Sequence, residues 1–334
     1  MHKTIKGVLM TFALTLLIGC KGEQGPQGPA GTEKCSACHS DNTTILAKEI
    51  QYENSVHYLG GNFERDNYPC AGCHTHEGFI TKLQGGDTTV AIIDPTPPNC
   101  RTCHNIHKTY TWDDFKLKTE SPVTLRAGGG IYNQGEGNLC ANCHQTRNAD
   151  MIKPGQDPVN ITSPYWGPHY GNMSNLLSGN SGFEEFPGTY NKQHPHYTSI
   201  TEGCPQCHMA EPFGAQAGGH TMNIFYVFHG QTELLTSGCT GCHSDPETKF
   251  ENLEAEIEEK LDSLKTLLVN AGILNPSTDR AIPGTYPRAL AGAFWNYKFV
   301  EYGKAIHNPA YARSLLDNTI ANFPTLTKKR FAEK

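Results

Sequence analysis

Apolar positions keep a helical period in one part of this chain, the stretch from residue 244 onward. Phe250, Leu253, Ile257, Leu261, Leu264 and Leu268 follow one another at intervals of 3, 4, 4, 3 and 4, which gathers them on one face of a helix. Asp245 stands where a cap is needed, Pro246 suits the first turn, and Gly272 marks the end. A second helix is predicted from about Pro287 to Tyr302, with Phe294, Trp295, Tyr297, Phe299 and Tyr302. A third begins at Asn308-Pro309 and carries Leu315, Leu316 and Ile320. Upstream, residues 35–243 show no strand alternation and are rich in Gly, Pro, Asn and Thr, as in Asp94-Pro95-Thr96-Pro97-Pro98 and Gly128-Gly129-Gly130. Such runs predict turns between short helices. The expected fold is mainly α with extensive loops and a C-terminal helical segment, 244–334, packed on the domain before it.

The N-terminus reads differently. Lys3 and Lys6 precede an apolar run from Gly7 to Ile18, too short to span a bilayer comfortably and typical of an export signal. It ends in Leu17-Ile18-Gly19-Cys20, which resembles a bacterial lipobox. That resemblance implies a signal over 1–19, cleavage before Cys20 and acylation of Cys20. Lys21 in place of Asp implies sorting to the outer membrane. Residues 20–34 contain three Gly-x-y units and a closing glycine, Gly22 to Gly31, too few for a triple helix. They read as a lipid-anchored spacer whose stretch from Lys21 to Lys34 reaches at most roughly 43 Å if extended.

Composition changes the picture of the core. Hydrophobic residues make up 37% of the 334 residues, below the roughly 45–50% of ordinary globular domains, so side chains alone would build a thin interior. Formal charge is −6 and becomes more negative once Lys3 and Lys6 leave with the signal. A surface of that sign repels phosphate backbones, which argues against a nucleic-acid partner.

The cysteines supply the missing interior. Of 13, twelve form Cys-x-x-Cys pairs and Cys20 stands apart, which leaves no thiol for a disulfide. Every pair is followed by histidine: Cys35/Cys38/His39, Cys70/Cys73/His74, Cys100/Cys103/His104, Cys140/Cys143/His144, Cys204/Cys207/His208 and Cys239/Cys242/His243. Two thiols three positions apart can add across the two vinyl groups of a haem while the next residue offers an imidazole to the iron. Zinc knuckles also use such pairs but do not require the histidine. With 16 histidines in the chain, their appearance after all six pairs by chance is on the order of 10⁻⁸. The motifs therefore predict six covalently attached haem c groups over residues 35–243, each with two propionates that add negative charge. At about one haem per 35 residues, the haems must lie against one another and form the core. The aromatic residues of the second C-terminal helix then read as packing and haem cover, ahead of an electron relay.

The second axial ligand separates carriers from catalysts, because an iron with two protein ligands passes electrons and an open position admits substrate. Beyond the six proximal histidines and His2, nine remain. His57, His107, His169, His196, His220 and His307 are the predicted distal ligands, with His76, His194 and His229 in reserve; His194 and His196, in Gln193-His194-Pro195-His196, are close to interchangeable at this stage. His107 lies three residues after His104 and emerges on nearly the same side as that ligand. It must serve a different haem, and the same holds for His76 after His74.

Cys204-Pro205-Gln206-Cys207-His208-Met209, Gly218-Gly219-His220-Thr221 and the tail with His307-Asn308-Pro309 resemble the multihaem superfamily that includes cytochrome c nitrite reductase and octahaem hydroxylamine oxidoreductase. Cys100-Arg101-Thr102-Cys103-His104-Asn105-Ile106-His107 and Gly167-Pro168-His169-Tyr170 are similar to phrases in outer-surface electron-transfer cytochromes. Together they cover most of residues 50–320. The nitrite reductases carry one Cys-x-x-Cys-Lys motif and the hydroxylamine oxidoreductases eight haems with a tyrosine cross-link; here all six motifs end in histidine. The resemblance thus implies a shared haem-packing scheme and low potentials without the enzymes' active site. The expectation is an exported outer-membrane lipoprotein, facing the periplasm or the cell surface. It would pass electrons from periplasmic or outer-membrane cytochromes toward an acceptor outside the cell, in anaerobic respiration. Two alternatives stand beside this non-enzymatic reading. One is a reductase of a small nitrogen or sulfur oxyanion, with Arg101, Arg126, Arg147 and the Gln193–His196 segment orienting the anion; the other is a subunit of a cytochrome filament.

Overall fold

The computed structural model describes residues 39, 43–67, 69–87, 89–147 and 152–332, with side chains as far as 324. The signal, Cys20, the Gly/Pro spacer, Cys35 and Cys38 lie outside the described residues. The structure is 44% helical and 9% strand, with twelve helices and small sheets among the described residues. Among those residues no helix is long and apolar enough to cross a membrane.

Three long helices dominate the C-terminal part, Pro246–Asn270, Arg288–Gly303 and Pro309–Ala332. The first begins where Asp245 accepts the backbone N–H of Thr248 at 3.2 Å, a cap of about 1 kcal/mol. It ends just before Gly272, whose φ of 73° is the left-handed exit that glycine adopts freely. Leu253, Ile257, Leu264 and Leu268 are buried on its inner face, while Phe250 and Leu261 are half-buried. In the second helix burial extends all round, from Leu290 through Val300, because it runs between its two neighbours and residues 166–186.

That last contact explains the long interval between the fourth and fifth motifs. Ile152, Val159, Ile161, Trp166, Leu176, Phe183 and Phe186 belong to the same apolar core as the three helices. Polar side chains lock the joint. Asn296 accepts the N–H of Phe183 at 2.7 Å and donates to its carbonyl at 2.9 Å and to Thr319 Oγ1 at 3.0 Å. Trp295 Nε1 donates to the Ser181 carbonyl at 2.8 Å, and Asn172 Nδ2 to that of Phe299 at 3.0 Å. Gly292 lies against the Phe183 ring so closely that a Cβ there would meet it at 2.3 Å.

Strands are present where the sequence shows no alternation. They are ladders of two to four residues, Val123–Thr124 with Ile131–Tyr132, Val159–Ile161 with Gly284–Tyr286, Phe225–Phe228 with Gln231–Leu234, and Leu274–Asn275 with Arg280–Ala281. Runs this short carry too few positions for a period of two to show.

The remainder is short helices and turns. Its own apolar cluster is small, formed by Val123, Leu125, Tyr132, Ala141 and Leu177.

Candidate haem sites

Each described motif folds as a single helical turn. The N–H of His74, His104, His144 and His243 reaches back to the carbonyl of Cys70, Cys100, Cys140 and Cys239 at 3.2, 2.9, 3.0 and 2.9 Å, and Cys204–His208 is itself a short helix. On such a turn positions i, i+3 and i+4 share a face. Both thiols and the imidazole of a motif therefore point one way. None of the ten described motif cysteines is joined in a disulfide.

Among the chain's own atoms Cys100 and Cys242 are exposed, and the other eight described cysteines are half-buried. The reason for Cys242 is its position at the rim. Its turn, in which the Cys242 N–H donates to the Cys239 carbonyl at 3.0 Å, lies between the exposed ladder Phe225–Leu234 and the start of the first long helix. Its flanking residues Thr240, Gly241 and Ser244 bring no apolar bulk, and Thr240 and Gly241 are themselves exposed. One neighbour is near: Cys207 is pushed up to about 11 by its burial and by the closeness of Cys239, Cys204 and Cys242. The sixth motif thus borders the fifth. Cys100 opens its helical turn at a similar edge, after the Pro-rich run that ends at Pro98.

Opposite each motif histidine stands a second histidine. Ring centres lie 6.0 Å apart for His39 and His107, 6.3 Å for His74 and His169, and 6.1 Å for His104 and His220. They lie 5.9 Å apart for His144 and His57, 6.3 Å for His208 and His307, and 6.1 Å for His243 and His196. An ion held between two imidazole nitrogens at about 2.0 Å each sets ring centres roughly 6 Å apart. His107 thus turns away from its neighbour His104 to face His39, and adjacent histidines contribute to different pairs.

The turns that present the second histidines are built for the purpose. His220 sits in a 3₁₀ turn, Gly219–Thr221, entered through Gly218 and Gly219 at φ 71° and 50°. Gln51, from the helix Thr43–Glu53, grips that turn: its Oε1 accepts the His220 N–H at 3.1 Å and its Nε2 donates to the Gly214 carbonyl at 3.1 Å. His169 has a φ of 73° between Gly167 and Gly171, and its side chain is delivered beside Tyr170. His57 lies in a one-turn helix capped by Ser55, whose hydroxyl accepts the Tyr58 N–H at 3.2 Å. His307 ends the turn Ala305–His307 that joins the second and third long helices.

Hydrogen bonds on the other ring nitrogen fix several of these imidazoles. His208 Nδ1 lies 2.9 Å from the Met222 carbonyl, His307 Nδ1 2.7 Å from that of Gly303 and His196 Nδ1 2.9 Å from that of Ile306. A ring that donates from Nδ1 leaves the Nε2 lone pair for a metal. Burial works in the same direction by penalising the protonated form. It pushes His144, His169, His220 and His307 down to about 4 and lowers His57, His74, His104 and His196 as well.

The three reserve histidines stand elsewhere. His76 Nδ1 meets Thr102 Oγ1 at 2.9 Å, and His229 packs on Phe228 in an exposed turn. His194 caps the helix Pro195–Thr198 by accepting the His196 N–H at 3.2 Å on Nδ1. That bond puts the ring proton of a neutral His194 on Nε2, and it separates two histidines the sequence left equivalent. Of the arginines considered for an anion site, Arg147 donates to the Tyr165 carbonyl at 2.8 Å, and Arg126 lies beside Cys73.

Motifs also touch one another. The Cys73 thiol lies beside that of Cys143, and the Cys140 thiol beside that of Cys204. Lys82 Nζ reaches the Asn142 carbonyl at 2.7 Å. Around them lie exposed large apolar side chains, including Val56 and Tyr58 beside His57, and Tyr110, stacked on His107 with ring centres 5.6 Å apart. All exposed large apolar residues among the described side chains fall between 46 and 228, none in the C-terminal helices. Among the described residues no three His, Cys, Asp or Glu groups converge to hold a bare ion. Two facing imidazoles, two thiols on the face of one of them and surrounding apolar surface make a donor set that fits a haem, whose macrocycle brings its own four equatorial nitrogens. No known protein family, curated protein or solved structure matches the chain.

Proposed function

We propose that this chain is a hexahaem c-type cytochrome that conducts electrons through bis-histidine haems and is held at a membrane by an acylated Cys20, with transfer directed toward the cell exterior. The observation that carries the reading is the pairing itself: every one of the six motif histidines has a second histidine about 6 Å across from it. Two imidazoles saturate an iron axially and favour electron transfer over substrate binding. The haem groups would supply the redox chemistry. The chain's own residues set spacing, orient the imidazoles through carbonyls such as those of Met222, Gly303 and Ile306, and control access of water.

The thiol contacts between the second and fourth motifs and between the fourth and fifth support close haem neighbours in place of isolated centres. Redox partners would be other cytochromes and a terminal acceptor.

The test is direct. Protein matured in a host that attaches haem c should carry six irons per chain, and the oxidised form should be low-spin throughout, unperturbed by nitrite or hydroxylamine. A high-spin ferric signal that either anion alters would sink the carrier reading and favour a reductase.

A further inference from the structure

We infer that the six sites fall into two electronic classes, set by the angle at which the paired imidazole planes cross, and that in the two pairs served by the turn from Gly303 to His307 backbone carbonyls of this chain set that angle. The inference rests on the bis-histidine reading above. The planes cross at 7° for His208 and His307, 32° for His104 and His220 and 35° for His39 and His107. They cross at 72° for His74 and His169, 87° for His196 and His243 and 90° for His57 and His144. No pair falls between 35° and 72°.

The physical consequence comes from π donation. Near-parallel rings donate into the same iron dπ orbital, raise it above its partner and stabilise the ferric hole there. Near-perpendicular rings raise both dπ orbitals together and leave them almost degenerate. Near-degeneracy preserves orbital angular momentum, which produces a highly anisotropic low-spin signal in place of a rhombic one. It also withholds part of the ferric stabilisation, so with other influences equal a perpendicular site is the easier to reduce.

Two of the angles have identifiable causes. In the 7° pair both rings are fixed, His208 by the Met222 carbonyl and His307 by those of Gly303 and Lys304, at 2.9, 2.7 and 3.0 Å. In the 87° pair the His196 ring is turned by the Ile306 carbonyl at 2.9 Å. The single turn from Gly303 to His307 thereby orients one ligand in each class. Hydrogen bonding to the outer ring nitrogen is the general means by which a protein fixes ligand orientation.

Electron paramagnetic resonance of the fully oxidised six-haem protein, integrated per iron, reads the classes. Three irons in the highly anisotropic class and three in the rhombic class are expected. His57→Met should remove one iron from the first class, and His220→Met one from the second; the wild-type integration stands even where a variant fails to mature. Six low-spin irons in a single class would overturn the inference while leaving the electron carrier intact. A high-spin ferric signal perturbed by nitrite would overturn both.

Discussion

The carbonyl of Ile306 holds the ring of His196 at 2.9 Å, while the next residue, His307, faces His208 across 6.3 Å. One peptide unit thus serves two sites, the fifth through its side chain and the sixth through its backbone. On the bis-histidine reading this relationship gives the C-terminal helices a task beyond packing, since the joint between the second and third of them would carry a ligand for one site and the orienting acceptor for another.

Replacing His307 by Ala should therefore convert one low-spin haem to high-spin, an amount equal to one iron in six. Magnetic circular dichroism of the oxidised protein measures it. An unchanged low-spin count would remove His307 from the ligand set.

His194→Ala provides the contrast. Its ring nitrogen caps the helix that carries His196, so the change should cost about 1 kcal/mol, as loss of a helix cap generally does. The spin states should stay as they are. Appearance of a high-spin iron would show that His194, and not its neighbour, completes the sixth site.

Much of this arrangement was legible before the structure. The motif set, the three C-terminal helices and the cap of the first follow from spacing and residue type, and the six expected distal histidines each stand opposite a motif histidine. Which histidine meets which motif could not be read. His57 precedes its partner His144 while His169 follows His74, and nothing in local periodicity encodes contacts so distant in sequence. The distinction between His194 and His196 was equally hidden, because it depends on which ring nitrogen accepts a backbone N–H. The short ladders escaped for a simpler reason, since two to four residues cannot display alternation.

Gly292→Ala should destabilise the joint between the C-terminal helices and residues 166–186. The added methyl would press on the Phe183 ring, and overpacking of this kind costs about 1–3 kcal/mol. Thermal unfolding followed by the far-ultraviolet signal should show a midpoint lowered by several degrees. An unchanged midpoint would mean that Phe183 yields without strain.

Gln51→Ala removes the side chain that bonds both the His220 N–H and the Gly214 carbonyl. The expected loss is about 0.5–1.5 kcal/mol, the usual net worth of such a hydrogen bond where water can reach the freed groups. Because Gln51 touches the backbone of the His220 turn and not its ring, six haems should still attach. Denaturant titration with an iron count distinguishes this from loss of a site.

The order of partners along the chain has a consequence for maturation. On the hexahaem reading, a polypeptide exported N-terminus first would present His39, His74, His104 and His208 before His107, His169, His220 and His307 have followed; only His144 and His243 find their partners, His57 and His196, already outside. Four of the six irons would spend part of biogenesis waiting for their sixth ligand. The fifth would wait until residue 307 has crossed, so truncation of the tail would leave a fully haem-loaded protein with a reactive centre.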